Sequence, residues 1–392
     1  MKAYIIQDRK KIEPFQKRAS QLLIKNKKLE DLQKEIVLSS GLIPVKINNF
    51  SEINDNNEYL VVGNEVYFEQ ELLKEFIKTS QKKRCKTVCA IKTGIFTKRT
   101  ISSIQKTRKH ESHLEYNLYY YPAKNFRDAG FKPVVIDVEE NFEKLIIPKH
   151  IQKDGEYLIP FTTKPIVQIN HWANLWSANL IAIFSNIATI QKKHKLKIFL
   201  TAIKKLSLNR WQIASSLNKI GKNCDIHPTA YIEASIIGKN VTIGAGSVIR
   251  ASIIGDNSFI GNGVTIEASS LGNNCTILNG HILYCTLMPS VFSVTHMISA
   301  SIIGEDSFIG SGAVLTDFRF DNKPVNITID HEKINSENIF LGCGLGNNVY
   351  LGSGCVVAPG RTIPSDSHIV MGKNKIISKI DEDGQIPDFR VI

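Results

Sequence analysis

Aliphatic residues recur through the second half of the chain with a period that neither a helix nor an antiparallel strand produces. Ile220, Ile237, Ile254, Leu271 and Met288 stand 17 residues apart. Two tracks run beside them, Ile226, Ile243, Ile260, Ile277 and Val294 in one, and Ile232, Ile249, Ile266 and Leu283 in the other. One coil therefore divides into steps of six, six and five residues. An amphipathic helix needs apolar spacing near 3.6 and a half-buried strand alternates every second residue, so neither fits. A hexad of aliphatic, glycine or small, two polar, small and any residue predicts a triangular parallel solenoid. In such a prism the aliphatic side chains point inward, and small residues such as Cys224, Ala230, Ser247, Ser258 and Cys275 fill the narrow interior. Glycine or asparagine supplies the positive φ of the corners, and successive coils stack at about 4.8 Å.

A packed repeat performs no chemistry by itself, so its irregularities are where function is sought. The face beginning at Val294 reads as two residues short and holds His296. After Ile303 to Val314 the chain leaves the repeat at L-T-D-F-R-F-D-N-K-P-V and rejoins it near Ile339, about 20 residues later. Regularity returns with L-G-N-N-V-Y from Leu345. Everything unusual lies between Gly280 and Asn338.

The first half has a different pattern. Short strands at Ala3–Ile6, Tyr59–Val62 and Thr87–Ile91 alternate with amphipathic helices at Lys28–Leu38 and Glu69–Lys78, an α/β arrangement. The expected organisation is an α/β domain over 1–170, linker helices over 171–218, a β-helix over 219–380 and a tail over 381–392. Charge divides at the same place. Of the 392 residues, the first 218 carry 37 Lys and Arg against 21 Asp and Glu, and the remainder 12 against 16, so the parts hold +16 and −4 of the net +12. Five of the 25 glycines fall in the first part and 20 in the second.

The cations are scattered without an RNA or DNA motif, so nucleic acid is not expected as a partner; anionic sugar phosphates or a membrane surface suit them better. The segment from Lys192 to Leu206, K-K-H-K-L-K-I-F-L-T-A-I-K-K-L, is either a cationic amphipathic helix for peripheral membrane contact or a cap on the open end of the solenoid. Seven cysteines, odd in number and lacking paired C-x-x-C spacing, predict free thiols in a reducing compartment. No apolar signal core follows Met1, and the apolar stretch Ala178 to Ile190 is interrupted by polar residues, so a cytoplasmic location is expected.

The 17-residue pattern resembles the hexapeptide-repeat family, which implies a left-handed parallel β-helix. The first half is similar to the sugar-nucleotidyltransferase domain that precedes such a helix in N-acetylglucosamine-1-phosphate uridylyltransferases. The matching stretches are Q-L-L-I-K-N-K-K-L-E-D-L-Q-K-E-I-V-L-S-S-G from Gln21, V-V-G-N-E-V-Y-F from Val61, and H-W-A-N-L-W-S-A-N from His171. The departures fall on the chemistry. That family opens with a glycine-rich loop whose backbone N–H groups cradle phosphates. Here Q-D-R-K-K-I-E-P-F from Gln7 has no glycine, and Ser20 stands where a lysine is expected. Asn64-Glu65 replaces the magnesium-binding aspartate, so Glu65 would hold Mg²⁺ only if nucleotidyl transfer persisted. A degenerate nucleotidyltransferase-like domain is the favoured expectation.

The resemblance implies acyl transfer in the β-helix, with acetyl-CoA as co-substrate and a homotrimer whose inter-subunit grooves hold it. A histidine base suits the attack of an amine or hydroxyl on a thioester. By its offset from the looped-out segment, His296 is the match, with Asp317, Arg319, Asp321 and Lys323 as sugar-phosphate contacts and Arg361, Lys373 and Lys375 as CoA contacts. His281, in G-H-I-L-Y, is the alternative base, although its hexad slot predicts an inward, buried side chain. His227, His281, His296, His331 and His368 lack the close pairing of zinc-dependent β-helix hydratases. Three functions remain open: acyl transfer to a sugar phosphate or nucleotide sugar in envelope polysaccharide synthesis, a non-catalytic sugar-nucleotide-binding or scaffold role, and sugar-1-phosphate nucleotidyl transfer.

Overall fold

The computed structural model describes residues 1–123, 130–139, 141–193 and 217–372. The first half is built on a twisted mixed sheet. Its strands are β1 (Lys2–Ile6), β2 (Ile43–Ile47), β3 (Tyr59–Gly63), β4 (Thr87–Lys92), β5 (His113–Tyr121) and β6 (Lys132–Ile136), in spatial order β6-β4-β5-β3-β1-β2. β1, β2 and β3 are parallel, β5 runs antiparallel to both β3 and β4, and the two-residue strand Arg108–Lys109 pairs with β5. Helices α1 (Leu29–Ser39) and α2 (Gln70–Lys83) pack on it through the residues their apolar spacing places on one face, Leu32 and Ile36 in α1 and Leu72, Leu73 and Phe76 in α2. The strands and helices expected from sequence are present, α2 starting one residue later and ending five residues later than its pattern.

From Lys219 onward three stacked parallel sheets form the left-handed β-helix. Its inward residues make one continuous core in which Ile249, Ile260, Ile266, Leu271, Ile277 and Ile303 are fully buried. The strand register departs from the sequence tracks in one region. Leu271 pairs with Leu287, Ile266 with Ile282 and Ile277 with Ser293, so Leu287, Ile282 and Ser293 occupy the inward positions expected of Met288, Leu283 and Val294. The shortening is thus one residue in each of two successive coils, at the same corner. The corners also differ from expectation. One carries asparagines at positive φ (Asn223, Asn240, Asn257, Asn274), but another uses Ala234, Ala251, Ala268 and Ala300. A left-handed alanine costs about 1–2 kcal/mol, and a buried serine ladder compensates: Ser252 N–H donates to Ser235 Oγ, Ser269 N–H to Ser252 Oγ and Cys285 N–H to Ser269 Oγ, at 2.9–3.1 Å.

The segment expected to begin the linker is instead a core helix, α3 (Trp172–Lys193). By length and composition it is apolar enough to cross a membrane, and most of it is buried inside the protein. One side of α3 packs on the α/β domain; the other lies on the first face of the β-helix, where Met288, Ala300, Ile302 and Leu341 join Trp172, Ala173 and Trp176 in one apolar cluster. Trp172 Nε1 donates to Thr362 Oγ1 at 2.9 Å and Trp176 Nε1 to the Tyr284 carbonyl at 2.6 Å. Gly344 lies so close under Trp172 that an added Cβ would sit 2.6 Å from the indole. The possible amphipathic segment 192–206 lies almost wholly outside the described residues.

Gly344→Ala should therefore push α3 off the first face. An overpacking cost of about 1–3 kcal/mol is expected as a lowered denaturation midpoint, whereas an unchanged midpoint would mean the indole contact is slack. A second expectation concerns His171, buried at the start of α3, where its Nδ1 accepts the Ala173 N–H at 3.2 Å. Burial, with a smaller contribution from Lys10, pushes its pKa down from 6.5 to about 3. Between those values the unfolded chain binds a proton that the folded chain refuses. Stability from this group is whole above about pH 6.5 and falls with pH below it, by up to about 1.4 kcal/mol per unit. Denaturant midpoints at pH 7 and pH 4.5 should diverge more for the wild type than for His171→Gln.

Candidate functional site

Two regions carry the residues singled out in the sequence. In the α/β domain, the loop after β1 is engaged with the β-helix. Phe15 is buried, its carbonyl accepts from Asn347 Nδ2 at 2.9 Å, and the Pro14 carbonyl accepts from Ser365 Oγ at 2.7 Å. Lys17 is ion-paired with Glu305. The stretch that would cradle phosphate thus clamps the α/β domain to the β-helix, while Asp8 N–H is taken by Asn64 Oδ1 at 2.8 Å. Glu65 follows β3 but is only 5% exposed, and Asn117 Nδ2 donates to its Oε1 at 2.6 Å. Burial raises its pKa despite that bond, which favours the proton over a cation. Ser20 is buried and adds no charge.

In the β-helix the geometry separates the two candidate histidines. His281 is exposed, because it starts the strand His281–Leu283 whose inward residue is Ile282. The expected burial of His281 is therefore corrected by the one-residue register shift. His296 is also exposed, at the second shortened corner, immediately before the strand Met297–Ser299. Its Nδ1 lies 3.1 Å from the side-chain amide of Asn279, which occupies the same corner one coil earlier. The atom facing it is Nδ2, whose donation to Nδ1 would put the ring proton on Nε2; with the amide turned end for end its oxygen accepts from Nδ1–H and Nε2 keeps a free lone pair. Asn279 escaped the sequence reading; a polar residue 17 positions before His296 was the available signal.

The looped-out segment leaves at the opposite edge of the third face. Three strand residues, about 10 Å, separate His296 from Ser299, whose Oγ donates to Asp317 Oδ2 at 2.6 Å. Asp317 turns inward to a small apolar cavity of about 90 Å³ between the two halves, lined also by Tyr157, Trp176, Tyr284 and Phe340. Arg319 and Asp321 face outward and form a bidentate pair, Nε to Oδ1 at 2.8 Å and Nη2 to Oδ2 at 2.5 Å. The Arg319 hydrogen bond holds the Asp321 carboxyl down at about 2. Both line an open concavity of about 560 Å³ that Arg361 and the fully exposed Phe320 share. The structure thus joins Arg361 to Arg319 and Asp321 and sends Asp317 elsewhere; Lys323 is exposed with its N–H on Asp321 Oδ1 at 3.3 Å. Lys373 and Lys375 lie outside the described residues. A hairpin of Asn326–Ile329 and Glu332–Asn335 completes the insertion, and buried Asn338 anchors it, accepting from Arg99 Nη1 and Tyr157 OH at 3.1 and 2.9 Å.

With this geometry in hand, residues 215–290 match the GMPPB C-terminal domain. That match covers 76 of the 392 residues. Among solved structures, a hexapeptide transferase family protein from Anaplasma phagocytophilum is 16% identical, over 38% of this chain and 76% of that one, with a TM-score of 0.16. No curated protein matches the chain. The GMPPB-type match ends ten residues beyond Gly280 and stops before His296 and the insertion.

Replacing Asn279 by Ala should remove this contact and let the His296 ring turn. Long-range 1H–15N spectra of the imidazole in wild type and Asn279→Ala check this; identical spectra would show that the two side chains do not meet in solution.

Proposed function

We propose that the protein transfers an acyl group from an acyl-CoA thioester such as acetyl-CoA to an amine or hydroxyl of a sugar phosphate or nucleotide sugar. His296 is the general base. Its Nε2 takes the proton as the acceptor nitrogen or oxygen attacks the thioester carbonyl, and returns it to the sulfur as the C–S bond breaks. The single observation that carries this reading is His296 exposed at a constricted corner with Nδ1 engaged by Asn279. The concavity of Arg319, Asp321 and Arg361 suits a phosphorylated ligand, provided the ligand displaces Asp321 from Arg319.

A homotrimer belongs to the same proposal. The first face is covered by α3, while the two others present apolar rows to solvent: Phe259, Phe292, Phe308 and Tyr350 on one, Met297, Val314 and Val356 on the other. Threefold packing would cover both rows, which meet at the corner bearing His296, and would enclose an acceptor lying across the third face. A cytoplasmic setting, where acyl-CoA is supplied, and a role in envelope polysaccharide synthesis complete the proposal. No step in it requires Mg²⁺ or the α/β domain's phosphate loop.

A thiol-release assay with acetyl-CoA and a panel of amino-sugar phosphates tests it. His296→Ala should lower kcat/KM by about 10²–10⁴-fold; His281→Ala should leave it nearly unchanged. Full turnover in His296→Ala would remove the base assignment, and no turnover with any acceptor would favour the non-catalytic binding role.

A further inference from the structure

We propose that His110, His113 and Glu115, at the carboxyl edge of the α/β sheet, bind one divalent transition metal ion of the zinc class. The spacing H-E-S-H-L-E brings them together because the chain turns back on itself between Arg108–Lys109 and β5. Thr93 N–H donates to the Ser112 carbonyl at 3.0 Å and His110 N–H to the His113 carbonyl at 2.9 Å, so the turn is held from both sides. β5 begins opposite the last residue of β4, His113 facing Lys92 and Glu115 facing Ala90. This edge of an α/β sheet is where such folds place ligands.

His110 Nε2 lies 3.2 Å from Glu115 Oε1, and His113 Nε2 lies 3.8 Å from the same oxygen. The three ligand atoms fall within 4.8 Å of one another. Ligands held at 2.0–2.1 Å around one tetrahedral zinc are about 3.3 Å apart, so the His110–Glu115 contact already matches, and ring rotation has to close the His113–Glu115 contact and bring the two imidazole nitrogens to the same spacing. The rings are stacked, 4.5 Å between centroids and 13° between planes, so binding one ion requires them to turn out of the stack until both Nε2 lone pairs meet it.

Three further features distinguish this cluster from an ordinary ion pair. His113 Nε2 is buried and has no hydrogen-bond partner, an anomaly for a buried polar atom that a metal bond would resolve. Ser112 Oγ lies 3.1 Å from His113 Nδ1; accepting a proton there sets the tautomer in which Nε2 offers its lone pair, as outer-shell partners of metal-bound histidines do. Glu115 is buried, and Arg108 Nη1 occupies Oε2 at 3.2 Å, which leaves Oε1 for the ion. His110, with 42% of its side chain exposed, gives an entry path and an open fourth position for water. Two imidazoles and one carboxylate suit zinc-class ions, whereas magnesium takes oxygen ligands. Among the described residues this is the one three-ligand cluster of its kind.

The full-length protein, stripped with chelator and dialysed, is titrated with Zn²⁺ against a chromogenic competitor. One Zn²⁺ per chain is expected, unaffected by excess Mg²⁺. His110→Ala, at an exposed position, should weaken binding more than about tenfold with an unchanged near-ultraviolet circular dichroism spectrum, and Ser112→Ala by about 10–100-fold. Co²⁺ should produce visible d–d absorption in the wild type that His110→Ala loses. No stoichiometric Zn²⁺ uptake by the folded protein, or equal affinity in His110→Ala, would overturn the proposal. The readout is metal alone, so it stands or falls separately from acyl transfer.

Discussion

The docking of α3 against one face of the prism is the constraint on which the rest depends. A three-sided β-helix is symmetric in its backbone but not in what its faces can contact. Here the first face carries Ser270, Thr286, Ile302 and Gly344 outward, small or apolar residues that accept a helix. Gly344 lets Trp172 approach to contact distance, and Trp176 reaches the Tyr284 carbonyl at the corner. With one face taken by the α/β domain, two faces of the prism carry exposed apolar side chains such as Phe259 and Val356. The docking also explains the insertion after Leu315, whose hairpin packs Val325 and Ile327 into the same apolar cluster as Trp172 and whose Asn338 is gripped by Arg99 and Tyr157.

The loop after β1 in the α/β domain is engaged in that contact. A phosphate loop must keep its backbone N–H groups open to an anion. Gln7 to Phe15 has no glycine to allow that approach, and its carbonyls at Pro14 and Phe15 instead accept hydrogen bonds from the β-helix. Glu65 is enclosed and hydrogen-bonded by Asn117. Part of the positive charge of the first 218 residues is paired within the protein: Lys17, Lys25, Lys27 and Lys46 meet Glu305, Glu69, Glu35 and Glu30.

The β-helix was legible in the sequence because its inward positions repeat with a fixed step, and the α/β domain was legible element by element. The register across the shortened coils was not. Deleting one residue moves the inward position from Met288 to Leu287 and from Leu283 to Ile282, and both members of each pair are aliphatic. A 17-residue track reads either choice with equal comfort, and the error places His281 inside the prism when it stands outside. The first residues of α3 carry asparagines and serines among the apolar positions, which reads as a linker; those polar groups are buried but satisfied, Asn174 by the Thr100 and Ile101 carbonyls and Asn179 by the Leu23 carbonyl. The fate of the insertion was likewise hidden, since which way Asp317 and Arg319 turn depends on packing against Tyr157 and Phe340 from distant parts of the chain.

The shortened corner connects these threads. Removing a residue from two adjacent coils draws the chain inward by one position twice, and the backbones of the two corners then nearly touch. Gly280, at φ +98°, makes this possible: a Cβ there would lie 2.3 Å from the Thr295 carbonyl and 2.6 Å from that of His296. The His281 N–H donates to the His296 carbonyl at 2.9 Å, locking the coils in that register. Asn279, the residue before this glycine, is thereby brought against the imidazole. A regular six-residue step would carry a longer loop between them and leave the ring free to turn. The shortened step, the glycine and the asparagine thus act together, and what they produce is an exposed histidine whose Nδ1 meets a side chain from the coil before it.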